Sequence, residues 1–97
     1  MSHYVYMLEC VNGSFYTGYT TDVLRRYKQH QTKTARCRYT QSFPPKRLAA
    51  VWQFETRSDA LAVEYQIKSL SKAEKKTLLN EFEAVGPSLA DSLQDLE

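Results

Sequence analysis

Five residues of this chain, Tyr6, Tyr16, Arg26, His30 and Glu64, are of types that could do chemistry on a phosphate, and Tyr19 adds a third phenol at the edge of the same hairpin. Arg26 and His30 are four residues apart, so a helix carries them on one side. Val23 and Tyr27 share that side, which leaves Arg26 at the edge of an apolar surface. A guanidinium there can grip a phosphate through two parallel hydrogen bonds and favour a nearby phenolate. Arg25 is turned away from this side and faces solvent or a substrate backbone. A tyrosine ionises near pH ~10, so it works as a base only beside a cation or within a metal-linked network. Ordinary strand packing also explains tyrosines in a chain that has seven of them. Glu64 stands beside Val63 and Ile67. It suits either a surface carboxylate with a buried stem or a single ligand for magnesium, which keeps several waters. Lys68, one turn later, pairs with Glu64 or meets phosphate.

The elements that must position these residues are legible from pattern. "HYVYMLEC" and "FYTGYT", separated by "NGS", read as a hairpin with Gly13 free to take a positive backbone angle. Period-two alternation sets Tyr4, Tyr6, Leu8 and Cys10 on one face and Val5, Met7 and Glu9 on the other. Both faces are apolar, which suggests a helix on one and a site bordering the other. Thr21 is the candidate cap of a helix from Asp22 to Gln31. "TKTARCRYTQSFPP" reads as a basic loop with a short helical turn at Ala35 to Tyr39. "RLAAVWQFE" suits a third strand. Ser58 is the candidate cap of a second long helix with the stripe Ala60, Val63, Ile67 and Leu70. Ser71 and Glu74 form a capping box for a helix that runs towards Phe82, and Gly86-Pro87 ends helical order. The expected fold class is α+β: a small three-stranded antiparallel sheet flanked by helices.

Composition narrows the function classes. The 97 residues, 42% hydrophobic, suffice for one modest core. No apolar stretch approaches the roughly 20 residues that span a bilayer, and a signal peptide is not expected. Cys10 and Cys37 form neither a disulfide framework nor a zinc site, and no His/Cys cluster argues for zinc. A cytoplasmic protein fits. Net charge is +2 but uneven: residues 1–57 carry nine Lys or Arg against three acids, and residues 58–97 carry four against eight. The basic part can attract a polyanion.

Taken together, "VYML" at 5–8, "YTG" at 16–18, "RRYKQH" at 25–30 and "EYQIK" at 64–68 resemble the GIY-YIG nuclease domain. Within that superfamily the chain is similar to small stand-alone bacterial members, and in pattern to structure-selective nucleases. The resemblance covers roughly residues 3–83, and implies a nuclease-like domain at 1–83 followed by an acidic tail at 84–97. Tyr6 and Tyr16 resemble the tyrosines of the first and second motifs, and Gly18 the second motif's glycine. Arg26 and His30 resemble the helix arginine and its following histidine or tyrosine, and Glu64 the metal-ligating glutamate. Tyr4 and Val5 depart from the first motif's glycine and isoleucine, and Thr17 from the second motif's middle residue. Asn80 is the only late asparagine, and its spacing matches no motif.

The resemblance implies an endonuclease that hydrolyses DNA phosphodiesters with Mg2+, or Mn2+, on Glu64. Tyr6 is then the general base, Tyr16 orients water or phosphate, and Arg26 stabilises the developing charge. His30 supports the network or helps proton transfer. Arg25, Lys33, Arg36, Arg38, Lys46, Arg47 and Lys68 are the candidates for tracking the backbone of DNA, branched or single-stranded, with RNA left open. The alternative is a nucleic-acid-binding module that keeps the scaffold but cuts weakly. A third reading is a module whose basic groove meets an acidic protein partner.

Overall fold

Gly13 turns the first hairpin with φ 81°, and Asn12 Oδ1 accepts from the Ser14 amide (3.3 Å) and hydroxyl (2.6 Å). The strands are β1 (His3–Cys10) and β2 (Phe15–Thr20), as expected. The computed structural model describes residues 2–32 and 38–84. A third strand, β3 (Pro45–Phe54), pairs with the other edge of β1, so the antiparallel sheet has the order β2-β1-β3. It begins two residues earlier than the sequence suggests; Pro45 is tolerated there because the first strand residue can do without an N–H. Ala49 is an extra residue between the pairs Met7–Ala50 and Leu8–Leu48, and bends the strand locally.

The helices are α1 (Val23–Gln31), α2 (Arg38–Ser42), α3 (Arg57–Lys68) and α4 (Lys72–Ala84). The cap of α1 is Asp22 rather than Thr21: its carboxylate accepts from the Arg25 amide at 3.1 Å, and Thr20 Oγ1 accepts from the Asp22 amide at 3.0 Å. The cap of α3 is Thr56 rather than Ser58, accepting from the Asp59 amide at 3.1 Å. Ser71 and Glu74 make the expected reciprocal box, at 2.9 and 3.1 Å. A short helix at Arg38–Ser42 overlaps the expected turn at Arg38 and Tyr39 and runs three residues beyond it; residues 35–37 of the expected turn lie outside the described residues.

Strand alternation divides the interior into two cores, and both sheet faces carry helices, where one helical face was expected. Tyr6 and Leu8 pack with Val23, Tyr27, Leu48 and Val51 beneath α1. Val5 and Met7 pack with Ala60, Ile67 and Leu79 beneath α3 and α4. The apolar residues of α1, and those of α3 and α4, are covered by the two faces of the sheet. Cys10 is buried at the end of β1.

Candidate active site

The α1 face of the sheet gathers three of the five candidates. The Tyr6 hydroxyl lies 2.8 Å from His30 Nε2 within hydrogen-bonding geometry, and both side chains are almost wholly buried. Tyr16 flanks them, its ring centroid 6.4 Å from that of Tyr6 and 5.2 Å from that of His30, all three tilted. Register explains the cluster: Tyr16 lies opposite Leu8 and Gly18 opposite Tyr6, so Tyr6 and Tyr16 emerge on one face. His30 is delivered from the last turn of α1. A Cβ at Gly18 would collide with the Tyr6 phenol, so glycine is required there for the ring itself.

His30 is held from its other side by Thr40 of α2, whose hydroxyl lies 2.8 Å from Nδ1 and is 1% exposed. Nothing in the sequence pointed to Thr40, because it lies in a stretch without periodicity and ten residues from its partner. Burial, and then the positive charge of Arg26, lower the His30 pKa from 6.5 to about 4. The ring is therefore neutral near pH 7. With the proton on Nδ1, the ring donates to Thr40 and Nε2 accepts from the Tyr6 hydroxyl. In the other tautomer Thr40 donates to Nδ1, and Nε2–H donates to the Tyr6 oxygen. Either way every polar atom of this buried chain is satisfied.

Arg26 stands half-buried one turn before His30, and its Nη1 donates to Gln29 Oε1 at 3.2 Å. With Tyr19, Asp22, Arg25 and Gln29 it lines an open cleft of about 330 Å³ where β2 passes into α1. Arg25 is exposed at this cleft. Glu64 comes from α3, on the opposite face of the sheet, with a side chain 17% exposed and 3.6 Å from Lys68 Nζ. Its helix packs against both β1 and β2, the latter an edge strand.

The structure does not bring all the basic candidates to the cleft. Arg47 sits on β3, at the far edge of the sheet from β2, and donates through Nε to Glu9 at 2.6 Å. Lys46 is exposed on the same strand. Lys68 is paired with Glu64. Arg38 opens α2. Lys33 and Arg36 lie outside the described residues. Asn80 is exposed on α4.

Among the described residues, no three His, Cys, Asp or Glu side chains gather around a point. A cage of protein ligands is therefore not what these residues offer. One carboxylate, Glu64, fits a hard cation such as magnesium, which draws the rest of its shell from water and substrate phosphate.

A buried tyrosine, a partly buried one beside it, a neutral histidine and a flanking arginine match a nuclease family. The sequence model of the GIY-YIG catalytic domain matches residues 2–77, and the chain belongs to the GIY-YIG family, whose domain is a nuclease domain acting on nucleic acid. Within that family it is similar to UPF0213 proteins. It is 48% identical to UPF0213 protein BH0048 of Halalkalibacterium halodurans over 80 residues, covering 82% of this chain and 84% of the relative. A UPF0213 protein of Halobacterium salinarum is 43% identical over 76 residues, covering 78% of this chain and 97% of the relative. The solution structure of BH0048 matches with a TM-score of 0.54 over 82% of this chain and 84% of that one. That of EF2693 from E. faecalis matches with 0.59 at 37% identity, over 87% and 88%. The three-stranded antiparallel sheet with flanking helices is thus a shared fold.

Proposed function

We propose that this protein is a divalent-metal-dependent endonuclease of the cytoplasm that hydrolyses DNA phosphodiesters, with structure-dependent or weak sequence preference. Residues 1–83 form the working domain and 84–97 an acidic tail. The observation that carries this reading is the buried Tyr6–His30–Thr40 chain, which ends on a phenol oxygen beside Tyr16 and the Arg26 cleft. A phenol buried only for packing needs one hydrogen-bond partner; this one is linked to a titratable ring that is itself fixed from behind.

Phosphodiester hydrolysis needs a deprotonated water, neutralisation of the equatorial oxygens and protonation of the leaving oxygen. Tyr6 accepts the water's proton on its oxygen as its own hydroxyl proton passes to Nε2 of His30. The low His30 pKa opposes that transfer at rest. Its second cause is the Arg26 charge, and a bound phosphate offsets that charge, so the substrate itself readies the histidine. Arg26 clamps the non-bridging oxygens and Tyr16 orients the water or phosphate. Glu64 would hold a divalent cation, Mg2+ or Mn2+, which would supply Lewis-acid polarisation of the phosphate and stabilise the leaving oxygen until solvent protonates it. Arg25 contacts the backbone without reading bases.

A cleavage panel of single-stranded, duplex, flap and branched DNA, with RNA beside it, tests this function. Metal-dependent products from the native chain and their loss in R26A support it. No products on any substrate, despite salt-sensitive binding, would favour a binding module instead.

A further inference from the structure

We propose that Thr17 is a positioning residue for Glu64: its hydroxyl donates to one carboxylate oxygen when Glu64 turns from Lys68 to hold a divalent cation. This rests on the reading of Glu64 as the cation's carboxylate and adds the group that orients it.

Thr17 is 2% exposed, and among the described residues its buried Oγ1 has no hydrogen-bond partner. Buried hydroxyls in folded proteins are almost always paired, so this one requires an account. Thr17 lies opposite Met7, which packs in the core beneath α3 and α4. Directly opposed residues share a sheet face, so the hydroxyl belongs to the α3 side and not to the Tyr6 side.

Two contacts fix how α3 runs along β2. The guanidinium carbon of Arg57, its first residue, lies 5.9 Å from the Tyr19 ring centroid. Lys72, which opens α4, places Nζ 3.8 Å from where a Cβ on Gly13 would stand. The helix therefore runs back along β2, from Tyr19 towards the hairpin turn. Glu64 comes seven residues after Arg57, two turns on and on the same flank. The other flank, with Val63 and Gln66, borders a groove shared with Trp52 of β3 and Leu78 of α4. Two turns rise ~10.5 Å, about three strand residues, which sets Glu64 level with Tyr16. Of the α3-facing residues on either side of that level, Thr17 and Phe15, Thr17 lies nearer the helix N-terminus. Helical side chains lean that way, so Glu64 leans towards Thr17.

The two groups complete one another. Thr17 Oγ1 is a donor without an acceptor. Glu64 Oε2 faces Lys68 Nζ at 3.6 Å, and its carboxylate has no other partner among the described residues. Arg57 and Lys68 share this flank but only donate, which leaves Glu64 as its side-chain acceptor. A hydrogen bond from Thr17 holds one carboxylate oxygen towards the sheet edge and leaves the other for the cation, the service that outer-shell donors perform at metal sites. Because the resting chain leaves the hydroxyl unpaired, this bond counts towards cation binding and not towards folding.

The test pairs urea denaturation in EDTA with a Mn2+ titration of the 15N-labelled chain, read as paramagnetic relaxation of the amides around Glu64. T17V keeps the branched shape and removes the hydroxyl. It should be at least as stable as the native chain in EDTA, yet bind Mn2+ about tenfold more weakly, and T17S should restore the affinity. A hydroxyl with a structural role alone would move stability and leave affinity unchanged. Equal Mn2+ affinity in the native chain and T17V would overturn this proposal alone. So would a T17V chain that unfolds at lower urea than the native one, because the hydroxyl would then already have a partner in the resting fold. Relaxation around Glu64 that is the same in E64Q as in the native chain would overturn it together with the reading of Glu64 as the cation's carboxylate.

Discussion

Tyr6 and Gly18 face each other across β1 and β2, and the Tyr6 phenol fills the space that a side chain at Gly18 would need. The motif glycine therefore acts through the motif tyrosine: it lets the ring lie against the neighbouring strand and aim its hydroxyl at His30. Backbone freedom is a separate matter, met at Gly13 with its φ of 81°.

Replacing Gly18 by Ala should consequently damage both stability and activity. The ring that would have to yield is buried and hydrogen-bonded to His30, so overpacking of about 1–3 kcal/mol is expected, with at least a tenfold loss of cleavage. Urea denaturation and single-turnover cleavage measure the two. G13A provides the contrast, losing stability through its strained backbone while the folded fraction keeps its rate. A G18A protein with native stability and rate would contradict the arrangement.

Thr40 should behave as a positioning residue. T40V keeps the shape and removes the hydroxyl, leaving buried Nδ1 of His30 without this partner at a cost of about 1–3 kcal/mol. The His30 tautomer ratio, read from ring nitrogen chemical shifts, should change with it, and T40S should restore it. An unaltered tautomer in T40V would show that Thr40 does not orient the ring.

Much of this arrangement was legible in the sequence. Alternation in "HYVYMLEC" put Tyr6 and Val5 on opposite faces, and the spacing of Arg26 and His30 put them on one side of α1. Both follow from local periodicity, which reports which way a side chain faces. Thr40 and Arg47 show the limit. Their partners, His30 and Glu9, are set by tertiary packing and strand register, and no local pattern encodes them. Capping fell between the two: Thr21 and Asp22 are both good caps, and the choice depended on where β2 released the chain. Sheet coverage was misread for a related reason. Two apolar faces in β1 are satisfied by helices on both sides, and the Tyr6–His30 pair lies beneath one of them, α1.

Acid should destabilise the fold through His30. Its folded pKa of about 4 lies below the ordinary 6.5, so between these values the unfolded chain binds a proton that the folded chain refuses. The contribution is full above pH 6.5 and declines as pH falls towards 4, by about 3 kcal/mol in all. Urea midpoints across this range should fall more steeply for the native chain than for H30Q. Parallel curves would mean that His30 titrates normally in the folded state.

Arg25 and Arg47 should differ in nucleic-acid binding. R25A, at the cleft, is expected to weaken binding to any sequence and lower the salt-dependence slope by about one. R47A, whose guanidinium is engaged by Glu9 at the other sheet edge, should leave the slope nearly unchanged. Titrations over a range of salt concentrations separate the two, and equal slope changes would place nucleic acid on both edges.

The central claim, a metal-supported phosphodiester hydrolysis that uses Glu64, is tested most directly by cleavage rates of the native chain and E64Q across magnesium and manganese titrations. Gln preserves the shape of a side chain at the border of α3 and removes its charge, so the fold should persist. The account predicts metal-dependent cleavage by the native chain and a loss of at least a hundredfold in E64Q at every metal concentration. Equal rates for the two proteins would contradict it.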